Sequence, residues 1–340
     1  MCKSNIDIIE EDWLKEYGEE VLERLLWEHS RPQYNGDDGG MHHHHIYWAT
    51  DMYEQEGDGF RFFDEIEIPN ITGNYRTLVR PRADKSKEEQ EKRTRDKAEV
   101  FTPSWVCNKQ NNLVDNAWFG AENVFNTEYE KHWNATEGKI AFPTSDGKTW
   151  EDYVQDVRLE ITCGEAPYLV SRYDTVTGDT IDLTQRIGLL DRKMRVVMEN
   201  AETEEAWHKW ATIAFQSVYG FDWQGDNVLL ARENLLLSYV DYYIARFGKE
   251  PDTSDLCMIA EILSWNIWQM DGLKFVIPDS CKDTDIGQLQ LFDDEPEKRP
   301  CEGCAKNDPL LHTGIYCMIM DWKENKKVKF VSLLKNGARI

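Results

Sequence analysis

The sequence predicts an α/β chain: a parallel sheet flanked by helices, a mostly helical region before it and a small metal-binding element after it. Three observations carry this. From Glu99 onward, apolar strand-like runs end in acidic or glycine-bearing turns and alternate with helical stretches. Near the start, Ile9, Trp13, Leu14, Tyr17, Val21, Leu22, Leu25 and Leu26 recur at helix spacing. Near the end, cysteines cluster with a histidine.

A length of 340 residues accommodates one large domain or two ordinary ones. Hydrophobic residues at 41% and charged residues at 30% describe a globular chain rather than a disordered one. The 13 Trp, 14 Tyr and 13 Phe provide bulky anchors for a substantial core. No run approaches the ~20 apolar residues that cross a bilayer. The first seven residues lack the apolar stretch of a secretion signal, which points to a bacterial or phage-infected cytoplasm. In that compartment the eight cysteines read as buried thiols plus one metal site, not as a disulfide framework.

The formal net charge of -24 argues against a surface that coats DNA uniformly, since duplex DNA is itself a dense anion. It leaves room for a local basic groove. It also admits an acidic surface that mimics nucleic acid or docks on a basic partner.

Residues 6–30 are expected to be helical, and residues 31–40 a polar loop. The run His42-His43-His44-His45 leads straight into Ile46-Tyr47-Trp48, so a surface or structural role is expected for it. Residues 76–97 are highly charged, with Arg76, Arg80, Arg82, Lys85, Lys87, Lys92, Arg93, Arg95 and Lys97 set among acids. They read as a solvated helix or linker laced with ion pairs four residues apart, the sharper alternative being a phosphate-contacting arm.

Three junctions follow in order. Arg158-Leu159-Glu160-Ile161 runs into Thr162-Cys163-Gly164-Glu165-Ala166, a strand ending in a small-residue turn where backbone N–H groups could approach a nucleotide-like ligand. Val218-Tyr219-Gly220-Phe221 ends in Asp222-Trp223, placing a carboxylate where ribose hydroxyls are commonly bound. The third, Ile267-Trp268-Gln269-Met270, ends in Asp271. A single acid at a strand end is usually a cap or turn former. Three in register suggest a cofactor site.

These residues resemble a family. Phe101-Thr102-Pro103 looks like the Phe-Thr-Pro motif of N6-adenine DNA methyltransferases, particularly the modification subunits of restriction systems (restriction endonuclease subunit M). Residues 159–169 resemble that family's cofactor loop, residues 220–224 its second-strand motif and residues 266–273 its third. The resemblance covers residues 97–280. It implies a Rossmann-like, S-adenosylmethionine-dependent methyltransferase fold. Thr102, Pro103, Glu160, Gly164, Glu165, Ala166, Asp222, Trp223 and Asp271 are then expected to hold the cofactor. Residues 1–96 become a helical, charged N-terminal region and residues 281–340 a C-terminal zinc-binding element.

Two departures bear on activity. Ala166-Pro167 stands where the family has a second glycine, adding a methyl group and removing an N–H donor. A bulky insertion at 174–210 separates the first two motifs. The larger departure is the catalytic tetrapeptide, Asn/Asp/Ser-Pro-Pro-aromatic, whose polar groups and ring hold a flipped base. The chain has no adjacent proline pair. The nearest substitutes are Ile277-Pro278-Asp279-Ser280, with Asp279 as a degenerate catalytic residue, and Asn307-Asp308-Pro309-Leu310.

Cys301, Cys304, His312 and Cys317 form a C-x2-C-x7-H-x4-C pattern. Thiolate and imidazole are the donors that Zn²⁺ prefers, and four of them suit a closed structural site. The sequence therefore supports a methyltransferase-like protein acting on DNA adenine, with or without activity. The alternatives are a non-catalytic acidic protein that binds a partner or counters restriction, and a different cofactor-dependent modification of nucleic acid. DNA and a protein partner or specificity subunit are the partners to test.

Overall fold

The computed structural model describes residues 10–36, 39–97, 99–143, 147–286 and 297–335, and shows a mixed α/β chain. The helices are α1 (Glu10–Glu16), α2 (Glu19–Leu26), α3 (Lys87–Lys97), α4 (Ser104–Phe119), α5 (Trp150–Gln155), α6 (Leu189–Asn200), α7 (Glu204–Gln216), α8 (Gly225–Phe247), α9 (Thr253–Asn266) and α10 (Glu302–Lys306). The labelled strands are β1 (Arg158–Ile161), β2 (Val218–Asp222), β3 (Ile267–Gln269), β4 (Met318–Asp321) and β5 (Lys326–Lys329). Among the described residues, no helix is long and apolar enough to cross a membrane.

β1, β2 and β3 form a parallel sheet in that order, with Glu160 opposite Gly220 and Phe221 opposite Trp268. Parallel neighbours need long crossovers. α6 and α7 supply the first, α8 and α9 the second. Residues 174–210, expected as an insertion, are therefore in large part the first crossover. Leu190, Met194, Val196 and Val197 of α6 are fully buried, which is why this segment is helical and packed.

Alternation along the strands divides the sheet's two faces. Val218 and Ile267 face a large core built with α2, α6, α7, α8 and α9. Leu159, Tyr219, Phe221, Trp268 and Met270 face a second, smaller core, whose other wall is Tyr47 with Cys317, Ile319 and Phe330 from the C-terminal region. β4 and β5, an antiparallel pair, belong to that wall.

The N-terminal region shares the large core. Val21, Leu22, Leu25 and Leu26 of α2 are fully buried, each such side chain being worth about 1.5–3 kcal/mol. Arg232 of α8 fastens α2 in place. Its guanidinium donates to the carbonyls of Leu25 (2.6 Å), Trp27 (3.0 Å), Ser264 (3.0 Å) and Ile267 (2.8 Å), at the ends of α2 and α9. The histidine run is structural: His43 stacks on Trp27 at 4.0 Å, and His45 pairs with Glu23 at 2.9 Å. The charged 76–97 segment does form a helix, but it is not wholly solvated. Arg93 of α3 turns inward to ion pairs of 2.8 Å with Glu99 and with Asp226.

Candidate functional site

A cleft of about 1000 Å³ opens at the carboxyl ends of β1 and β2, under the start of α4. Phe101, Thr102, Glu160, Gly164, Asp222 and Trp223 line it, with Asn227 behind. The loop after β1 is shaped by its own hydrogen bonds. Gly164 takes a positive φ of 52°, and its N–H donates to Asp222 Oδ2 at 2.8 Å. A Cβ on Gly164 would stand 3.4 Å from the Phe101 ring, so the Phe-Thr-Pro segment closes directly over the loop. Glu160 accepts from the N–H groups of Tyr168 (3.3 Å) and Leu169 (3.1 Å).

The cleft is acidic. Burial pushes the Glu160 carboxyl up to about 8 against those two backbone donors, and burial likewise raises Asp222. Asp96 and Glu99 also line the space, and Arg95 is the one cation among the described residues that does so. A positively charged ligand suits such walls better than an anion.

Thr102, Glu160, Gly164, Asp222 and Trp223 are thus brought together. Pro103 is the N-cap residue of α4 and does not itself line the space. Glu165 turns the other way: its carboxylate is buried, accepting from Arg82 N (2.6 Å) and Tyr173 OH (2.7 Å). Ala166 is fully buried with φ 62°, in the left-handed region that favours glycine. Asp271 stands apart from the cleft and caps a turn, accepting from Leu273 N (3.0 Å) and Lys274 N (3.1 Å) and pairing with the Lys274 ammonium. The expectation of a cofactor contact at Asp271 is corrected accordingly, because β3 ends two residues earlier, at Gln269. Asp279, the expected degenerate catalytic residue, is exposed at a bend of φ 52° and does not line the cleft. The chain at that point is leaving the sheet for the cysteine cluster.

That cluster gathers Cys281, Cys301, Cys304 and His312, whose ligand atoms lie within 4.8 Å of one another, and it could hold a metal ion. The three sulfurs surround His312 Nδ1 at 3.5, 3.6 and 3.6 Å. Burial works to raise the Cys301 thiol, but hydrogen bonds from Thr313 and the rest of the cluster bring it down to about 5. Gly303 is required here, since a Cβ would come within 2.6 Å of the His312 backbone nitrogen. Cys317, expected as the fourth ligand, is not one. It is fully buried in the smaller core with Sγ 3.4 Å from the Gln269 carbonyl. Cys281 replaces it because residues 280–282 run alongside 313–315, joined by Ile315 N to Ser280 Oγ (3.0 Å) and Lys282 N to Thr313 Oγ1 (3.1 Å).

Comparison with protein-family models, with curated proteins and with solved structures finds no match for this chain.

Proposed function

We propose that the chain is an S-adenosylmethionine-binding protein of the DNA adenine-N6 methyltransferase type, in which the base-handling tetrapeptide is lost. One observation carries the reading: Thr102, Gly164 and Asp222, taken from three separate motifs, converge on one acidic cleft at the strand ends. The order β1-β2-β3 fits one half of a Rossmann-like sheet, in which ligands sit beyond the carboxyl ends of the strands. The volume is ample for a nucleoside. S-adenosylmethionine is a cation at its sulfonium and its ammonium, which acidic walls favour. When bound it supplies an electrophilic methyl group.

The chain's own residues bind and orient. Phe101 and Trp223 offer apolar surface, and the lone pairs that Asp222 keeps can accept from ribose hydroxyls. Asp279 is outside the cleft, so base capture falls to another chain or does not occur. The net charge of -24 supports a protein partner over an unassisted DNA clamp. A bacterial or phage-infected cytoplasm belongs to the same reading.

The cysteine cluster is proposed as a structural zinc site. Zn–S bonds of about 2.3 Å and Zn–N bonds of about 2.0–2.1 Å at tetrahedral angles set S and N about 3.6 Å apart. The three distances to His312 Nδ1 match that value. Four protein ligands leave no open position for chemistry.

Calorimetry with S-adenosylmethionine tests the function. Saturable binding by the wild type and a loss of at least tenfold in Asp222→Ala are expected. No heat at millimolar ligand would remove the cofactor reading.

A further inference from the structure

A second, smaller hollow of about 410 Å³ runs along α3, lined by Arg82, Lys87, Gln90, Glu91, Thr94 and Arg95. It adjoins the cleft at two points. Arg95 lines both spaces. The Arg82 guanidinium lies over the Phe101 ring at 5.2 Å, and the other side of that ring meets Gly164.

The polar groups of this hollow fall into two sets. Gln90 and Thr94 are occupied in building it: Gln90 Nε2 donates to the carbonyls of Arg82 (3.0 Å) and Lys85 (2.9 Å), and Thr94 Oγ1 to that of Glu99 (2.9 Å). The cations are not so occupied. Arg82 Nε is buried with no hydrogen-bond partner, and no carboxylate pairs with Arg82 or Lys87 among the described residues. Arg95 pairs only with its exposed neighbour Asp96. Glu91 is the one carboxylate lining the hollow. In a chain of net charge -24, two cations without acid partners beside a cleft are a marked exception.

We propose that this hollow is a phosphate-binding subsite flanking the cleft, with Arg82 presenting its planar fork and Lys87 a point charge to one phosphate group. A guanidinium immobilised on an aromatic ring loses little further freedom on binding, which favours it over a free surface arginine. The same phosphate chemistry is offered by a nucleic-acid backbone and by a free nucleotide. The proposal stands on the hollow's own residues and does not need the cofactor to occupy the cleft.

The test is fluorescence anisotropy of the full chain with a labelled single-stranded oligodeoxynucleotide, and competition by ATP, at several salt concentrations. In Arg82→Gln/Lys87→Gln, oligonucleotide affinity is expected to fall about tenfold, with the salt slope shallower by about 1 for each lost cation. Lys87→Glu, exposed in the first turn of α3, should reproduce part of the loss in a chain whose fold is not in question. A loss confined to ATP assigns the site to free nucleotides. Failure of the wild type to bind either probe, or equal binding by all variants, overturns the proposal. S-adenosylmethionine calorimetry on the same variants is expected to be unchanged. Phosphate binding without cofactor binding would sink the function proposed above and leave this subsite standing.

Discussion

Asp222 Oδ2 accepts the Gly164 N–H at 2.8 Å, so the tip of β2 holds the loop that follows β1. The contact joins two sequence motifs 58 residues apart and sets the floor of the cleft. It also makes the role of the acid divisible into charge and acceptor. Asp222→Asn keeps an oxygen for Gly164 and removes the charge. Asp222→Ala removes both and leaves a buried donor unpaired, at a cost of about 1–3 kcal/mol. Asp222→Asn is therefore expected to weaken S-adenosylmethionine with little change in thermal unfolding, and Asp222→Ala to lower both. Equal destabilisation by the two would contradict this division.

Ala166 provides a backbone test. An L-residue in the left-handed region carries a penalty of roughly 1–2 kcal/mol that glycine escapes, partly offset by the greater freedom of glycine in the unfolded chain. Ala166→Gly is expected to raise the unfolding free energy by about 0.5–1 kcal/mol, seen as a higher denaturant midpoint. A lower midpoint would show that the φ of 62° at Ala166 is not the native one.

Cys281 and Cys317 are distinguished by metal content. Elemental analysis of the wild type should show about one equivalent of zinc. Cys281→Ser should lose most of it and unfold at lower temperature. Cys317→Ala should keep it, since its sulfur meets Gln269 rather than the cluster. Retention by the first and loss by the second would restore the spacing read from sequence.

Glu10 and Glu233 are fully buried, and all four of their carboxylate oxygens lack a hydrogen-bond partner. Burial raises both well above the ordinary Glu value, and for Glu233 the charge of Glu10 adds to the effect. Each is thus neutral in the fold. A raised folded-state pKa gives stability that is complete below the unfolded value and fades as pH rises toward the folded one. Wild-type stability should decline from about pH 5 to about pH 8, and Glu233→Gln should flatten that decline and be the more stable protein at the upper end. A variant gain that does not grow with pH would count against the buried pair.

The strands and the long helices were legible because their signals are local. Val218–Asp222 is an apolar run ended by an acid, and α8 is apolar around most of its circumference. What sequence could not resolve depends on distant chain segments meeting. Asp271 has the look of a strand-tip acid, but three residues of β3 are too few to carry it to the cleft. Cys281 lies 20 residues before Cys301 across an acidic stretch, so spacing favoured the nearer Cys317. Arg82 read as one charge among many. Only the ring of Phe101 beneath it and the lack of an acid partner set it apart.

The placement of Cys281 has a consequence for how the chain matures. It stands where the polypeptide leaves the sheet, and its partners stand at the entrance to the β4–β5 hairpin that covers Phe221 and Trp268. A metal ion bridging them would act as a clasp drawing that cover shut. A newly made chain without metal would leave an aromatic, adhesive sheet face unguarded, open to chaperones or self-association. Metal supply would then govern how much of the protein survives synthesis, as a checkpoint on assembly rather than a participant in chemistry.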